Sequence, residues 1–335
     1  MGNDTQTNDC YNNLNDILEI NGKITSKDLA IGIIFLSQAI IGVLGNFFVL
    51  WHYNFIFQRG RRLRPTDVIL KHLFVANSLV LLSGGVPRTM AAFGLKLFFN
   101  DFKCKSLLYI ERVGRRVSMG TICLLRVLQN IMISPVNSCW KNVKGKVQKY
   151  IGFSLGSCWI LNILINLIIP LYAWYSYVHG YDRIMKKQLN IGYCCLIDYG
   201  LAIGSIYITV VVFPEVCFSL LIVWASGSMV FILYRHKQVV QHIHVANTSL
   251  RSPESRATHS ILLLVSTFIS FYTVSTIIQI SITLTYNLRL WLVNACDIIS
   301  ACFPTMSPFL IISQDSSIMR HCFACTRNTK LFDLF

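Results

Sequence analysis

Long apolar runs separated by short polar and basic connections set the pattern of this chain. Residues 30–50, 151–181 and 260–288 carry no Asp, Glu, Lys or Arg. Each run reaches or exceeds the ~20 residues that a helix needs to cross a bilayer. The pattern predicts seven spanning helices, at about 29–51, 66–93, 104–134, 150–172, 201–234, 259–286 and 290–313. A membrane domain, 29–313, is thus expected between a polar N-terminal tail, 1–28, and a C-terminal tail, 314–335. No secretory signal peptide is visible ahead of the first helix, which is expected to act as an uncleaved anchor.

The connections decide which way the chain threads. Arg59, Arg61, Arg62 and Arg64 crowd the first, Lys141, Lys144, Lys146 and Lys149 the third, and Lys237 lies in the basic stretch HKQVVQHIH of the fifth. Lys and Arg collect in short cytoplasmic loops. These connections therefore lie inside, with the N-terminus extracellular, the C-terminus cytoplasmic and the protein in the plasma membrane. Asn3-Asp4-Thr5 is then a glycosylation acceptor on the outer tail, at Asn3.

Composition narrows the function classes. The 335 residues are 54% hydrophobic and 13% charged, against about a quarter charged in soluble domains. The net charge of +15 sits in membrane-flanking loops, so it marks topology and a lipid partner, not nucleic acid. Twelve cysteines form no paired zinc-ligand pattern. Cys123, Cys158, Cys217, Cys296 and Cys302 lie in apolar runs and read as small buried hydrophobes. Cys322 and Cys325 follow the last helix, as palmitoylation sites or unmodified thiols. The sequence has no Gly-rich phosphate loop, no H-E-x-x-H and no Ser-His-Asp set that the topology would assemble. No enzyme, metal or cofactor is expected.

The chemistry concentrates in helix three. Leu108, Glu111, Arg112, Arg115 and Arg116 make a polar stripe in its outer half. An arginine in mid-span costs roughly 2.5 kcal/mol or more. These must face a cavity, the protein interior or the headgroups. Glu111 pairs with Arg115 at i, i+4, which leaves surplus positive charge; alternatively Glu215 and Asp297, on other helices, neutralise the arginines. Asp297 and Arg126 are two further charges within spans, which pair with one another or, for Arg126, snorkel to the inner surface. Asn46 in helix one places an amide in mid-membrane, where it can bond neighbouring helices, and Asn77 lies at the middle of helix two.

Seven helices, an outer N-terminus and Cys104 opening helix three describe a G-protein-coupled receptor. The stretches PTDVILKHLFVANSLVLL, GVPRTMAAFGLK, RVGRRVSMGTICLL, WASGSMVFILYRHKQ, SPESRAT, LVSTFISFYT and FPTMSPF are similar to those of vomeronasal type-1 receptors, across about residues 40–315. That resemblance implies an all-α membrane protein, a seven-transmembrane-helix bundle of rhodopsin-like architecture. It implies a small pheromone-like ligand, including anionic steroid conjugates, and a heterotrimeric G protein of the inhibitory type. It puts this depth of helix three, with Leu108, Glu111, Arg112, Arg115 and Arg116, in the ligand pocket; Glu215 and Asp297 are further candidate contacts from other helices, although Asp297 stands where the family pattern has an uncharged residue. It also implies a bridge from Cys104 to Cys194 or Cys195, with Gly192-Tyr193-Cys194 matching the family's G-Y-C. G-protein contacts fall on Gln129, Pro135, Lys141, Lys144 and Lys237. The Asp-Arg-Tyr of most rhodopsin-like receptors is replaced by Val127, Leu128 and Gln129, and FPTMSP stands in place of Asn-Pro-x-x-Tyr. A bitter-taste-like receptor shares these absences. A transporter is the rival of another class, but the internal symmetry expected of one is not visible.

Overall fold

The structure, a computed structural model, describes residues 26–60, 63–94, 101–133, 147–178, 187–190, 195–198, 213, 216–224, 226–228, 253–284 and 290–314. Helix α1 is Ser26–Gln58, two turns longer at its C-terminal end than the apolar run alone predicts. Helix α2, Pro65–Ala92, opens where Arg64 is extended and Pro65 occupies the first turn. The Asp67 carboxylate accepts the Arg64 N–H at 3.0 Å, which satisfies one donor at the helix start. Helices α3, Asp101–Ile133, and α4, Val147–Val178, follow. Strands β1, Lys187–Asn190, and β2, Cys195–Asp198, pair antiparallel in the long connection that follows. The composition did not foreshadow this hairpin. A shorter apolar helix, α5, is Val216–Ser228. Helices α6, Pro253–Leu284, and α7, Leu290–Gln314, complete the described elements.

α3 runs through the middle. It packs against α2 and α4, while α7 packs against α1, α2 and α6. The main apolar core gathers Phe74 of α2, Met119, Ile122 and Leu125 of α3, Leu155 of α4, Ile222 of α5, Phe268 of α6 and Phe303 of α7. Phe268 stacks on Tyr272 at 4.1 Å and meets Phe303 edge-on at 4.8 Å, so an aromatic wedge joins α6 to α7. Leu44, Phe47, Phe153 and Leu164 point away from the bundle, on the faces of α1 and α4 that lipid tails cover.

The two mid-span amides tie helices together. Pro308 lacks an N–H, so it cannot serve the carbonyl of Pro304, one turn earlier in α7. Asn46 Nδ2 of α1 donates to that carbonyl at 2.9 Å. The freed backbone group is thereby satisfied from a neighbouring helix, as a lipid setting requires. Gly45 lets the helices approach: a Cβ there would lie 2.9 Å from the Pro308 ring. One layer across, Asn77 Nδ2 donates to Ser307 Oγ and Ser118 Oγ donates to Asn77 Oδ1, both at 2.9 Å. This knot joins α2, α3 and α7, and its three residues are fully buried.

A buried ionic circuit between α2, α3 and α7

Take as the top of the bundle the end where α2 hands over to α3. Leu81–Gly85 of α2 form a π-turn, which takes up about one extra residue and shifts the facing of everything after it. Arg88, three residues on, points into the bundle. Gly84 makes this possible, since a Cβ there would collide with Arg88 Nη1 and sit 2.7 Å from Glu111 Cδ.

Four charged side chains meet at this level. Arg88 donates through Nε and Nη2 to the two oxygens of Asp297, at 2.8 and 3.1 Å. The same Nη2 reaches both oxygens of Glu111, at 3.0 and 3.1 Å. Arg115 donates from Nη2 to Glu111 at 2.8 Å and from Nη1 to Ser300 Oγ at 3.1 Å. Ser300 in turn shares a hydrogen bond with Ser275 of α6. Tyr272 of α6 donates its hydroxyl to the Arg115 carbonyl at 3.3 Å. The circuit therefore spans α2, α3 and α7 and extends into α6. Its charged side chains are only 5–15% exposed. Removal from water makes such charges costly unless each is paired and hydrogen-bonded, and here the pairing of two guanidiniums with two carboxylates is mutual.

The pairing of Glu111 with Arg115 at i, i+4 is as the spacing predicts. The surplus positive charge expected beside it is not found within this group of four, because Arg88 and Asp297 join and balance it. Asp297 is held by Arg88 and not by Arg126. Arg126 lies eleven residues below Arg115, about 16 Å further along α3. Nor does Arg126 snorkel: it is 1% exposed within the bundle, with Nη1 donating to Gln129 Oε1 at 3.0 Å.

Arg112 is half-buried and Arg116 buried on the same stretch of α3, and Leu108 lies half-buried one turn above Glu111. Gln129 is buried and turned toward Arg126. Cys104 lies in α3, but Cys194, Glu215, Pro135, Lys141, Lys144, Lys237 and Asn3 are outside the described residues. Arg88 and Ser300 are members that reading the sequence missed. The signal available was Arg88 itself, since a cation within a span needs a carboxylate and Asp297 needs a cation. A cavity of about 10 Å³ adjoins the circuit, lined among others by Gln38, Gly85, Arg115 and Ser300. That is room for about one water.

Comparison with known proteins sets this geometry in context. The model of the vomeronasal organ pheromone receptor family matches residues 29–324. The chain is 47% identical to vomeronasal type-1 receptor 4 of Homo sapiens over 91% of its own length and 100% of that protein's. It is 28% identical to olfactory receptor class A-like protein 1 of Danio rerio, over 86% of this chain and 90% of that one. The crystal structure of squid rhodopsin superimposes with a TM-score of 0.68, covering 91% of this chain and 87% of that one at 16% identity. At that identity the likeness shows the fold: the helices described above belong to a rhodopsin-type seven-helix bundle.

Proposed function

The chain belongs to the vomeronasal organ pheromone receptor family, and on that premise we propose that it is a chemosensory receptor for small anionic, steroid-like compounds. As a family member it is a G-protein-coupled receptor and not an enzyme, a multi-pass membrane protein with a ligand and a heterotrimeric G protein as partners. In our reading the ligand enters from outside the cell at the top of the bundle, and the G protein is of the inhibitory type. It is met at the opposite end by the segment around Pro135, Lys141, Lys144 and Lys237. A bridge from Cys104 to Cys194 and a glycan on Asn3 belong to the same outward-facing end.

One observation carries the ligand assignment. At one level of the bundle, α2 and α3 supply four arginines, Arg88, Arg112, Arg115 and Arg116, while α3 and α7 supply two carboxylates, Glu111 and Asp297. Charged groups within spans mark ligand or ion pathways by default. A guanidinium edge presents two parallel donors that suit a sulfate or carboxylate.

The test is a panel of sulfated, carboxylated and neutral steroid-like compounds on cells expressing this chain with an inhibitory-type G protein. Anionic members should lower cyclic AMP, and the neutral analogues should be weaker. Arg115→Gln should raise the half-maximal concentration of the anionic agonist about ten- to a hundredfold, the equivalent of losing a charge-assisted contact of roughly 1.5–3 kcal/mol. Arg115→Lys should recover part of it. Equal loss for charged and neutral agonists would make the arginine purely structural. Neutralising Lys141, Lys144, Lys146 and Lys149 together should impair G-protein activation and leave ligand affinity within a few-fold. Unchanged signalling at equal surface level would remove that loop from the coupling site.

A further inference from the structure

We propose that the Arg88–Glu111–Arg115–Asp297 circuit is a gate that keeps the upper cavity closed, so that ligand entry and closure of the circuit exclude one another. The ligand half of this statement rests on the functional reading above; the closure itself rests on geometry alone. The space beside the circuit is about 10 Å³, enough for about one water and far below what any steroid-sized molecule occupies. A ligand of that size does not fit this space between the described helices as they stand.

The helix best placed to move is α7. Its tie to α2 at this level is the Arg88 fork on both Asp297 oxygens, and its tie to α3 runs from Ser300 to Arg115. Below them lie Pro304 and Pro308, inside the helix. Each proline removes a backbone donor, and such positions are where helices bend. The lower part of α7 is firmly seated, with Phe303 and Ser307 fully buried and Asn46 holding the Pro304 carbonyl. Above the prolines α7 is held by polar contacts: besides Arg88 and Arg115, Ser275 of α6 meets Ser300 and Cys296, and Gln38 of α1 reaches the Ile298 carbonyl. A segment that pivots on a proline pair and is fastened above it by ionic and hydroxyl contacts is the construction of a gate.

Gln38 adds a tie from α1 to α7 at this level. Its Nε2 donates to the Ile298 carbonyl at 3.2 Å, one residue past Asp297, yet its buried Oε1 accepts no hydrogen bond from the described residues. The adjoining cavity has room for about one water, which can serve this acceptor while the circuit is closed. A ligand that binds only the open form has its apparent affinity reduced by the fraction of receptors that are open. The circuit therefore sets the sensitivity threshold.

Cysteine accessibility tests this without any ligand. Ala39 is 5% exposed and lines the cavity from α1, outside the circuit. In the full-length receptor in cells, the thiol introduced by Ala39→Cys is reacted with methanethiosulfonate ethyltrimethylammonium applied from outside. Matched receptors lacking that substitution supply the background from native cysteines. Asp297→Asn and Arg88→Gln should each speed labelling at least tenfold. Exchanging the charges, Arg88→Asp with Asp297→Arg, should slow it again.

Labelling of Asp297→Asn within twofold of the parent, at equal surface level, overturns the proposal. A charge exchange that reaches the surface and stays fast also overturns it. Should the charge variants not reach the surface, Ser300→Ala decides. It loses the Arg115 hydroxyl tie and should label about threefold faster, and parental labelling sinks the gate. Basal and agonist-evoked lowering of cyclic AMP are read in the same cells. Faster labelling without any change in signalling upholds the gate and rejects the cavity as the signalling ligand site.

Discussion

Glu111→Ala should remove most of the receptor from the cell surface. Glu111 is 4% exposed, and its two oxygens receive Arg88 at 3.0 and 3.1 Å and Arg115 at 2.8 Å. Deleting the carboxylate leaves two buried guanidiniums to share Asp297. Breaking one buried pair by removing a partner costs about 3–5 kcal/mol, a large part of the ~5–15 kcal/mol that holds a typical domain folded. Glu111→Gln keeps the volume and one acceptor, so its loss should be milder. Joining Glu111→Ala to Arg115→Met removes one of the stranded cations, and should restore part of the surface signal. A coupling of that sign is the mark of a direct interaction. Antibody labelling of an N-terminal tag on intact cells, with thermal unfolding of the solubilised receptor, measures both. Parental surface level and melting temperature for Glu111→Ala would show that the circuit contributes little to the fold. A tag after Phe335 in the same cells should stay hidden until permeabilisation; its exposure on intact cells would reverse the proposed topology.

The spans were legible because lipid imposes a demand that sequence must answer locally. An uncharged run such as 30–50 has few alternatives to a spanning helix, and α1 contains it. The Glu111–Arg115 contact was legible for a similar reason, since its partners sit on one helix and the period brings them together. The Arg88–Asp297 contact was not. Its partners are on α2 and α7, and Asp297 faced several candidate cations that local spacing does not rank. What seats Arg88 at that level is the π-turn over Leu81–Gly85, and one glycine pair, Gly84-Gly85, is a faint signature for it. The expectation of surplus positive charge beside Glu111 overlooked this pair because it weighed helix three alone; Arg112 and Arg116 lie outside the balanced four.

The same division runs through the uncharged core. Asn46 and the prolines of α7 were each visible as unusual residues in mid-span. That the amide answers the carbonyl freed by Pro308 depends on where α1 crosses α7. Polar residues in these spans thus announced that partners exist, while the helix packing chose the partners.

Gly84→Val should be as damaging as Glu111→Ala, by a steric route to the same contacts. A Cβ on Gly84 would collide with Arg88 Nη1 and lie 2.7 and 2.8 Å from Glu111 Cδ and Oε2. Those atoms end flexible side chains, but they are tied to each other, to Asp297 and to Arg115. One methyl group therefore wedges the Arg88–Glu111 pair apart. Gly84→Ala should reach the surface in reduced amount and, if the gate is as inferred, show the open-cavity labelling of Asp297→Asn. Valine adds two more methyl groups where there is no space. Overpacking costs about 1–3 kcal/mol by itself, and with a broken buried pair the sum should abolish surface expression. Gly152 and Gly156 of α4 are the controls, since a Cβ on either meets nothing within 4 Å. Alanine at those sites should be neutral or stabilise by about 0.5–1 kcal/mol, as expected in a helix interior. Surface antibody signal across these variants separates the readings. If Gly84→Val matches the α4 controls, then α2 does not hold Arg88 against Glu111 as described, and the circuit loses its α2 arm.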